Sequence, residues 1–268
     1  MSAPIALTIA GSDSGGGAGI QADIKTMSAL GVYAASVITA LTAQNTCKVH
    51  SIFPVSTDFI QDQLYTVFED LNVRAIKIGM LGTPDIIKSV AGVLKNYPQI
   101  PIVLDPVMVA KSGDKLLQDD AVASLKENLL PLAEIITPNL PEAAVLTGKK
   151  EPASIEEMKS MLAALQAISP KAILLKGGHL GGDKSDDLLF DGQNEICLSS
   201  LRINTKNSHG TGCTLSAAIA SGIAKGLSLL EAVNAGKEYL TEALRHADTL
   251  EVGKGHGPVH HFHNSWKV

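Results

Sequence analysis

Ser208-His209-Gly210-Thr211-Gly212-Cys213-Thr214 is the stretch with the most direct chemical reading in this chain. Two glycines alternate with small polar residues and run into Ala-, Leu- and Ile-rich sequence through Ala224, the pattern of a buried or half-buried helix. Gly210 and Gly212 let the backbone turn sharply and leave its N–H groups uncovered. The helix that follows adds the positive end of its dipole, so the turn can hold an anion, and a phosphate suits it best. A glycine-containing loop before a core helix fits these residues equally well. The rest of the chain has to decide.

Several other segments end in residues that could meet at such a turn. Residues 5–10 read as a short apolar strand that stops at Gly11-Ser12-Asp13-Ser14-Gly15-Gly16-Gly17-Ala18-Gly19, after which Ile20, Ile24, Met27 and Leu30 recur at helical spacing. Further apolar runs at 75–81, 102–108, 135–139 and 172–178 are separated by helix-length segments at 84–96 and 156–168. Continuous apolar strands alternating with helices predict a mostly parallel sheet covered on both faces. Ligands bind at the C-terminal strand ends of such sheets. Asp13, Gln44, Met80, Asp105, Asn139 and Lys176 close the predicted strands and are therefore expected on one rim. Residues 188–198 read as a small antiparallel hairpin around Asp191-Gly192-Gln193-Asn194, and 229–247 as a second long helix.

Composition narrows the functional classes. A chain of 268 residues, 45% hydrophobic, can bury a large core, and one domain over 1–268 is expected. The net charge of −5 without a Lys/Arg cluster gives no support for nucleic acid or an anionic membrane surface as partner. Cys47, Cys197 and Cys213 are too far apart for a CxxC pair, which predicts reduced thiols and a cytoplasmic setting. The N-terminus lacks a basic leader pattern, and no apolar run reaches spanning length. Gly17, Gly19 and Ala22 match G-x-G-x-x-A, but the acid a dinucleotide fold needs about 20 residues later is missing, and no G-x-x-x-x-G-K-[ST] occurs. His256, His260, His261 and His263 suggest a metal tract. Their Gly/Pro-interrupted terminus predicts instead a loosely ordered tail over 252–268.

Taken in order, Gly11 to Asp23, Val37 to Asn45, Asp105-Pro106-Val107-Met108, Thr137-Pro138-Asn139-Leu140-Pro141-Glu142-Ala143, Lys176-Gly177-Gly178-His179 and His209 to Cys213 closely resemble the bacterial hydroxymethylpyrimidine/phosphomethylpyrimidine kinases of thiamine biosynthesis, within the ribokinase-like superfamily. The resemblance runs from residue 5 to about residue 247. It implies a three-layer α/β fold, ATP and Mg2+ as co-substrate and cofactor, and phosphorylation of 4-amino-5-hydroxymethyl-2-methylpyrimidine and then of its monophosphate. It also implies a homodimer. Many superfamily members carry an Asp as base where this chain has Cys213.

Roles follow from the resemblance and from side-chain chemistry together. The N–H groups of Gly210, Thr211, Gly212 and Cys213 are expected to hold the transferring phosphoryl oxygens. Cys213 sits in the first turn of a helix, where a thiolate is favoured, so it is read either as a base or as a pocket residue contributing its N–H, with preference for the second. Asn139 and Glu142 form an N-x-x-E pair that bears on Mg2+ and phosphate, and they equally suit a helix start; Asp105 is a further candidate for the metal. Lys176 and Thr137 are assigned to the ATP phosphates, and Lys237 to the adenine side or to a solvated helix face. Gln44 offers an acceptor and two donors to the aminopyrimidine edge, with Gly11, Ala18, Met80 and Val107 as flat walls and Asp23 as a further candidate. Three alternatives remain: a pyridoxal or pyridoxine kinase with the same machinery, a non-catalytic pyrimidine binder, and a nicotinamide oxidoreductase.

Overall fold

The computed structural model describes residues 3–108, 119–168 and 171–266. Their strands are β1 (Ile5–Asp13), β2 (Tyr33–Gln44), β3 (Val49–Pro54), β4 (Ala75–Ile78), β5 (Ile102–Leu104), β6 (Ile135–Ile136), β7 (Ala172–Leu175), β8 (Asp187–Phe190) and β9 (Glu195–Leu198). They form one sheet in the order β3-β2-β1-β4-β5-β6-β7-β8-β9. The run from β2 to β7 is parallel, while β3, β8 and β9 pair antiparallel at the two edges. The hairpin expected around residues 191–194 is β8–β9. The sequence pattern does not single out β3.

The helices are α1 (Gly19–Ala29), α2 (Thr57–Asp70), α3 (Pro84–Leu94), α4 (Asp119–Asn128), α5 (Leu140–Thr147), α6 (Ile155–Gln166), α7 (Thr211–Ala224) and α8 (Leu229–Arg245). Alternation along the strands builds two cores. Leu7, Ile9, Ile76, Ile78, Leu104, Ile136, Ile173 and Leu175 point to one face and pack with Ile60, Val90, Leu125, Leu146 and Leu162 of α2 to α6. Ala6, Ala75, Val103, Ile135, Ala172 and Leu174 point to the other and meet Met27, Leu215, Ile219 and Val233 of α1, α7 and α8. The result is the expected three layers.

Local chemistry sets the helix starts. Ser56, Thr83, Ser154 and Ser228 cap their helices through side-chain oxygens, and Asn139 with Glu142 makes a full capping box at α5. Helix α7 differs: Gly210 precedes it in the left-handed region at φ +79°, and no side chain caps it. A Cβ at 210 would overlap the carbonyl oxygen of Gly17, so glycine is required there for both conformation and space.

Within the tail expected to be loose, the stretch 257–261 is packed against the domain, while 252–254 and 264–266 are exposed. Gly257, Pro258, Val259, His260 and His261 are buried, and the Tyr239 hydroxyl donates to the His261 carbonyl at 2.6 Å. Burial of Val259 and backbone pairing with His209, ahead of α7, and with Ala243 of α8 outweigh the flexibility that Gly253, Gly255 and Gly257 suggest. Residues 267–268 of that expected tail lie outside the described residues.

Candidate active site

The strand ends and the α7 turn enclose a cavity of about 750 Å³. Among the predicted site residues, Gly11, Ala18, Gln44, Met80, Asp105, Val107, Asn139, Glu142, Lys176, Gly210, Thr211, Gly212, Cys213 and Lys237 line it. Thr137 and Asp23 do not. Thr137 is fully buried one layer back, where its hydroxyl donates to Asp105 Oδ1 at 3.0 Å. Asp23 is also fully buried, and its Oδ2 accepts from Lys77 Nζ at 2.8 Å and from Thr8 Oγ1 at 2.6 Å. Asp23 therefore does not reach the cavity wall; Lys77, bonded to it, is the member of the pair that lines the cavity.

At the centre of the cavity, Lys176 Nζ donates to Asp105 Oδ1 at 2.9 Å. A Cβ on Gly212 would come within 3.2 Å of Asp105 Oδ2 and 3.4 Å of Lys176 Nζ. The uncapped turn therefore faces a lysine ammonium directly, which is the arrangement a transferring phosphoryl group needs. Burial would lower the Lys176 pKa, but Asp105 and then Glu142 outweigh it and hold the ammonium above its ordinary value. Glu142 is shifted upward too, which for a carboxyl favours the neutral form. Burial raises it to about 7, Lys176 opposes the rise, and Asp105 adds to it.

Cys213 does not carry the thiolate that its helix-start position suggests. Burial, the largest cause, raises the thiol to about 11; Lys77 pulls it down, while Asp23 and Asp105 push it further up. A single ammonium partly neutralised by its own carboxylate cannot outweigh desolvation among two acids. The side chain is a neutral thiol at the cavity wall.

On one side of the turn, Asp13 Oδ2 lies 3.0 Å from His209 Nε2 and accepts from the N–H groups of Gly17 and Ala18 at 3.0 and 2.8 Å. Burial would raise the Asp13 pKa, yet the bonds to His209, Ala18 and Gly15 hold it below the ordinary carboxylate value. His209 Nε2 also lies 3.5 Å from Gln44 Nε2. The glycine loop, the β2 end and the α7 turn are thus tied through one carboxylate and one imidazole.

On the other side, Lys237 Nζ donates to Asp187 Oδ2 at 2.6 Å and to the Ser185 carbonyl at 2.9 Å. It is not on a solvated face, as its sequence position allowed; its charge is held inward by the hairpin. Asp187 Oδ1 accepts from Gly177 N–H at 2.9 Å, which fixes the chain just past Lys176. Arg202 donates to the carbonyls of Gly178, Leu180, Gly182 and Lys184, clasping the loop that follows. Lys77, Asp187 and Arg202 are not among the residues that sequence patterns single out. Lys77 has a signal, a lone cation inside the apolar run Ala75-Ile76-Lys77-Ile78, where both sheet faces are covered. Arg202 has none, because its partners are backbone carbonyls.

Comparison with known proteins agrees with this geometry. Residues 13–260 match the family described as phosphomethylpyrimidine kinase. The hydroxymethylpyrimidine/phosphomethylpyrimidine kinase of Rhizobium meliloti (strain 1021) is 56% identical over 263 residues, which cover 98% of each chain. The structure of Bacillus subtilis pyridoxal kinase in its ADP complex superposes with a TM-score of 0.90 at 39% identity, covering 97% of this chain and 98% of that one. The phosphomethylpyrimidine kinase of Clostridium difficile 630 gives 0.78 at 47% identity, over 90% of this chain and 99% of the other. A turn facing a paired lysine, in a cavity walled by Gln44, Met80 and Val107, is thus accompanied by sequence likeness over nearly the whole length, and the chain belongs to the phosphomethylpyrimidine kinase family.

Proposed function

We propose that this protein transfers the terminal phosphoryl group of ATP to the hydroxymethyl oxygen of 4-amino-5-hydroxymethyl-2-methylpyrimidine, and then phosphorylates the resulting monophosphate. The observation that carries this reading is the approach of Gly212 to Lys176 and Asp105 inside the cavity that also holds Gln44, Met80 and Val107. The pyrimidine lies between Gly11, Ala18, Met80 and Val107, with its amine and ring nitrogen on the Gln44 carboxamide. Lys176 and the N–H groups of Gly210 to Cys213 meet the charge spread over the transferring oxygens. The loose transition state of phosphoryl transfer needs little proton removal before the bond to the leaving group breaks, so a neutral Cys213 thiol beside the reaction is adequate.

Mg2+ suits the donor set. Among the described residues no group of three His, Cys, Asp or Glu side chains could hold a metal ion, so no protein cage is present. Asp105 and Glu142 offer hard oxygens beside Lys176, which fits a cation that keeps its waters and arrives with the nucleotide phosphates. When bound, it would neutralise phosphate charge there. Lys237, Asp187 and Arg202 order the chain after Lys176 on the nucleotide side.

Self-association and a cytoplasmic setting belong to the same proposal. Phe53 on β3 is 69% exposed and lies opposite Leu41 of β2, which is also exposed, an apolar pair suited to a second copy. No helix among the described residues is long and apolar enough to cross a membrane. Cys47, Cys197 and Cys213 are all free, in keeping with a reducing compartment.

The 39% identity to a pyridoxal kinase over nearly the full chain supports pyridoxal as a second acceptor, since it also presents a hydroxymethyl group on a flat heteroaromatic ring. ADP release with Mg-ATP is measured against the hydroxymethylpyrimidine, its monophosphate and pyridoxal. Turnover of the first two supports the proposal; turnover of pyridoxal with none of the monophosphate replaces it with the second reading.

A further inference from the structure

The C-terminal segment makes a set of contacts that the phosphoryl-transfer chemistry leaves unused. It leaves α8, crosses the mouth of the β2–β3 turn, and runs beside the entry to α7. On the β2 side, Thr46 lies two residues past Gln44. Its carbonyl accepts from His256 N–H at 3.0 Å, and its hydroxyl accepts from Gly255 N–H at 3.1 Å. On the α7 side, Gly257 N–H donates to Asn207 Oδ1 at 3.1 Å, while the Gly257 carbonyl accepts from His209 N–H at 3.0 Å. His209 and Pro258 form a parallel bridge. One step further, His261 Nε2 lies 3.1 Å from the hydroxyl of Thr214, the residue after Cys213. Five consecutive residues, 257–261, are buried in this passage.

The segment therefore touches both halves of the site and stays out of the cavity itself. Its glycines are there for proximity. A Cβ at 255 would overlap the Thr46 carbonyl and come within 2.9 Å of Cys47 Sγ; a Cβ at 257 would overlap the Asn207 carboxamide. Two chain segments about 160 positions apart in sequence, at Thr46 and Asn207, are thus clamped against a third at backbone contact distance. Burial, and after it Lys25, lowers the His261 imidazole to about 3, so the far anchor stays neutral and bonded across any working pH.

We propose that residues 253–261 act as a strap that sets the distance between Gln44 and the α7 turn, with Gly255 and Thr46 as positioning residues for the pyrimidine. The strap holds the β2–β3 turn, and with it Gln44, in register with His209 and the phosphate-holding N–H groups. Loosening it displaces the acceptor's recognition point and leaves the nucleotide side, built by Lys237, Asp187 and Arg202, in place. This inference rests on the acceptor being the pyrimidine alcohol.

Wild type, Thr46→Ala and Gly255→Ala are compared by hydrogen–deuterium exchange without substrate, and by initial rates with Mg-ATP and the hydroxymethylpyrimidine. Faster exchange is expected at 45–48 and at 208–212. KM for the pyrimidine should rise roughly fivefold in Thr46→Ala, the scale of one hydrogen bond, and further in Gly255→Ala. KM for ATP should change less than KM for the pyrimidine, and the melting temperature of Thr46→Ala should fall by no more than about 2–4 °C, the scale of that one bond. Exchange at 208–212 equal to wild type, or an unchanged pyrimidine KM, overturns the strap. Where Gly255→Ala does not fold, Thr46→Ala alone decides between the same two outcomes. Absence of pyrimidine turnover by wild type overturns the acceptor instead, and the exchange data then decide the strap independently.

Discussion

Lys176 Nζ stands 2.9 Å from Asp105 Oδ1, and the missing side chain of Gly212 leaves the α7 turn open to both. The pair comes from the ends of β7 and β5, two strands apart in the sheet, and the turn comes from the chain 36 residues beyond Lys176. Parallel strand order brings Lys176 and Asp105 together, and the chain returning from the antiparallel edge strands β8 and β9 adds the turn. Lys176→Met should lower kcat by about 100-fold or more, the cost of removing one donor aimed at transition-state charge. Gly212→Ala should also lower kcat, because its Cβ presses on both partners. Steady-state rates at saturating ATP, taken below the unfolding transition of each variant because Lys176→Met also leaves Asp105 unpaired, check both.

Lys77 and Asp23 form a pair with no exposed side-chain surface, and Asp23 Oδ1 has no hydrogen-bond partner. Burial, opposed by Lys77, raises the Asp23 carboxyl above its ordinary value, while Asp23 holds the Lys77 ammonium above its own value against burial. Asp23→Asn leaves an unpaired ammonium in the core and should cost about 3–5 kcal/mol of stability. Lys77→Met added to Asp23→Asn should recover most of that loss, because both charges are then gone. Urea denaturation of the two single variants and the double variant closes this cycle.

Cys213 carries its proton at neutral pH, since burial holds the thiol at about 11. Cys213→Ser should therefore lower kcat by far less than the roughly 100-fold that loss of a general base costs. Alkylation of Cys213, followed by mass spectrometry beside exposed Cys47 and Cys197, should keep accelerating as pH rises towards 11. A plateau below pH 8 would contradict the neutral thiol.

The alternation of apolar runs with helical periods is enough to read the parallel centre of the sheet, and polar residues closing those runs mark the rim. Gln44, Asp105, Asn139 and Lys176 are visible because each breaks an apolar pattern where the pattern ends. Asp23 misleads because a carboxylate on an amphipathic helix looks the same whether it meets a ligand or a buried lysine. Its partner Lys77 lies 54 residues away, and only the β1–β4 pairing brings it alongside. The tail misleads for a related reason. Glycines that allow close backbone contact have the same composition as glycines that allow disorder, and the partners deciding between them, Thr46 and Asn207, are remote in sequence. Sequence leaves both roles of Cys213 open, because position at a helix start is a local property and desolvation is not.

Glu142 gives the sharpest pH prediction, because stability and function should move in opposite directions. The unfolded chain releases this proton near 4.5, while burial keeps it on the folded chain up to about 7. Between those values the folded state binds more protons, so stability falls as pH rises through the window and levels off above it. Glu142→Gln keeps an oxygen for the Asn139 N–H, which Glu142 Oε2 now accepts at 2.8 Å, and removes the titration. Its melting temperature should match wild type near pH 4 and exceed it at pH 8, by roughly 1–3 kcal/mol in free energy. That is about 2–4 °C per kcal/mol for a domain of this size. At pH 8 the same variant should need roughly 10–100 times more Mg2+ for half-maximal rate, having lost an anionic oxygen beside the phosphates. Stabilisation at pH 8 without a change in Mg2+ requirement would leave Glu142 as a helix cap and remove it from the metal site.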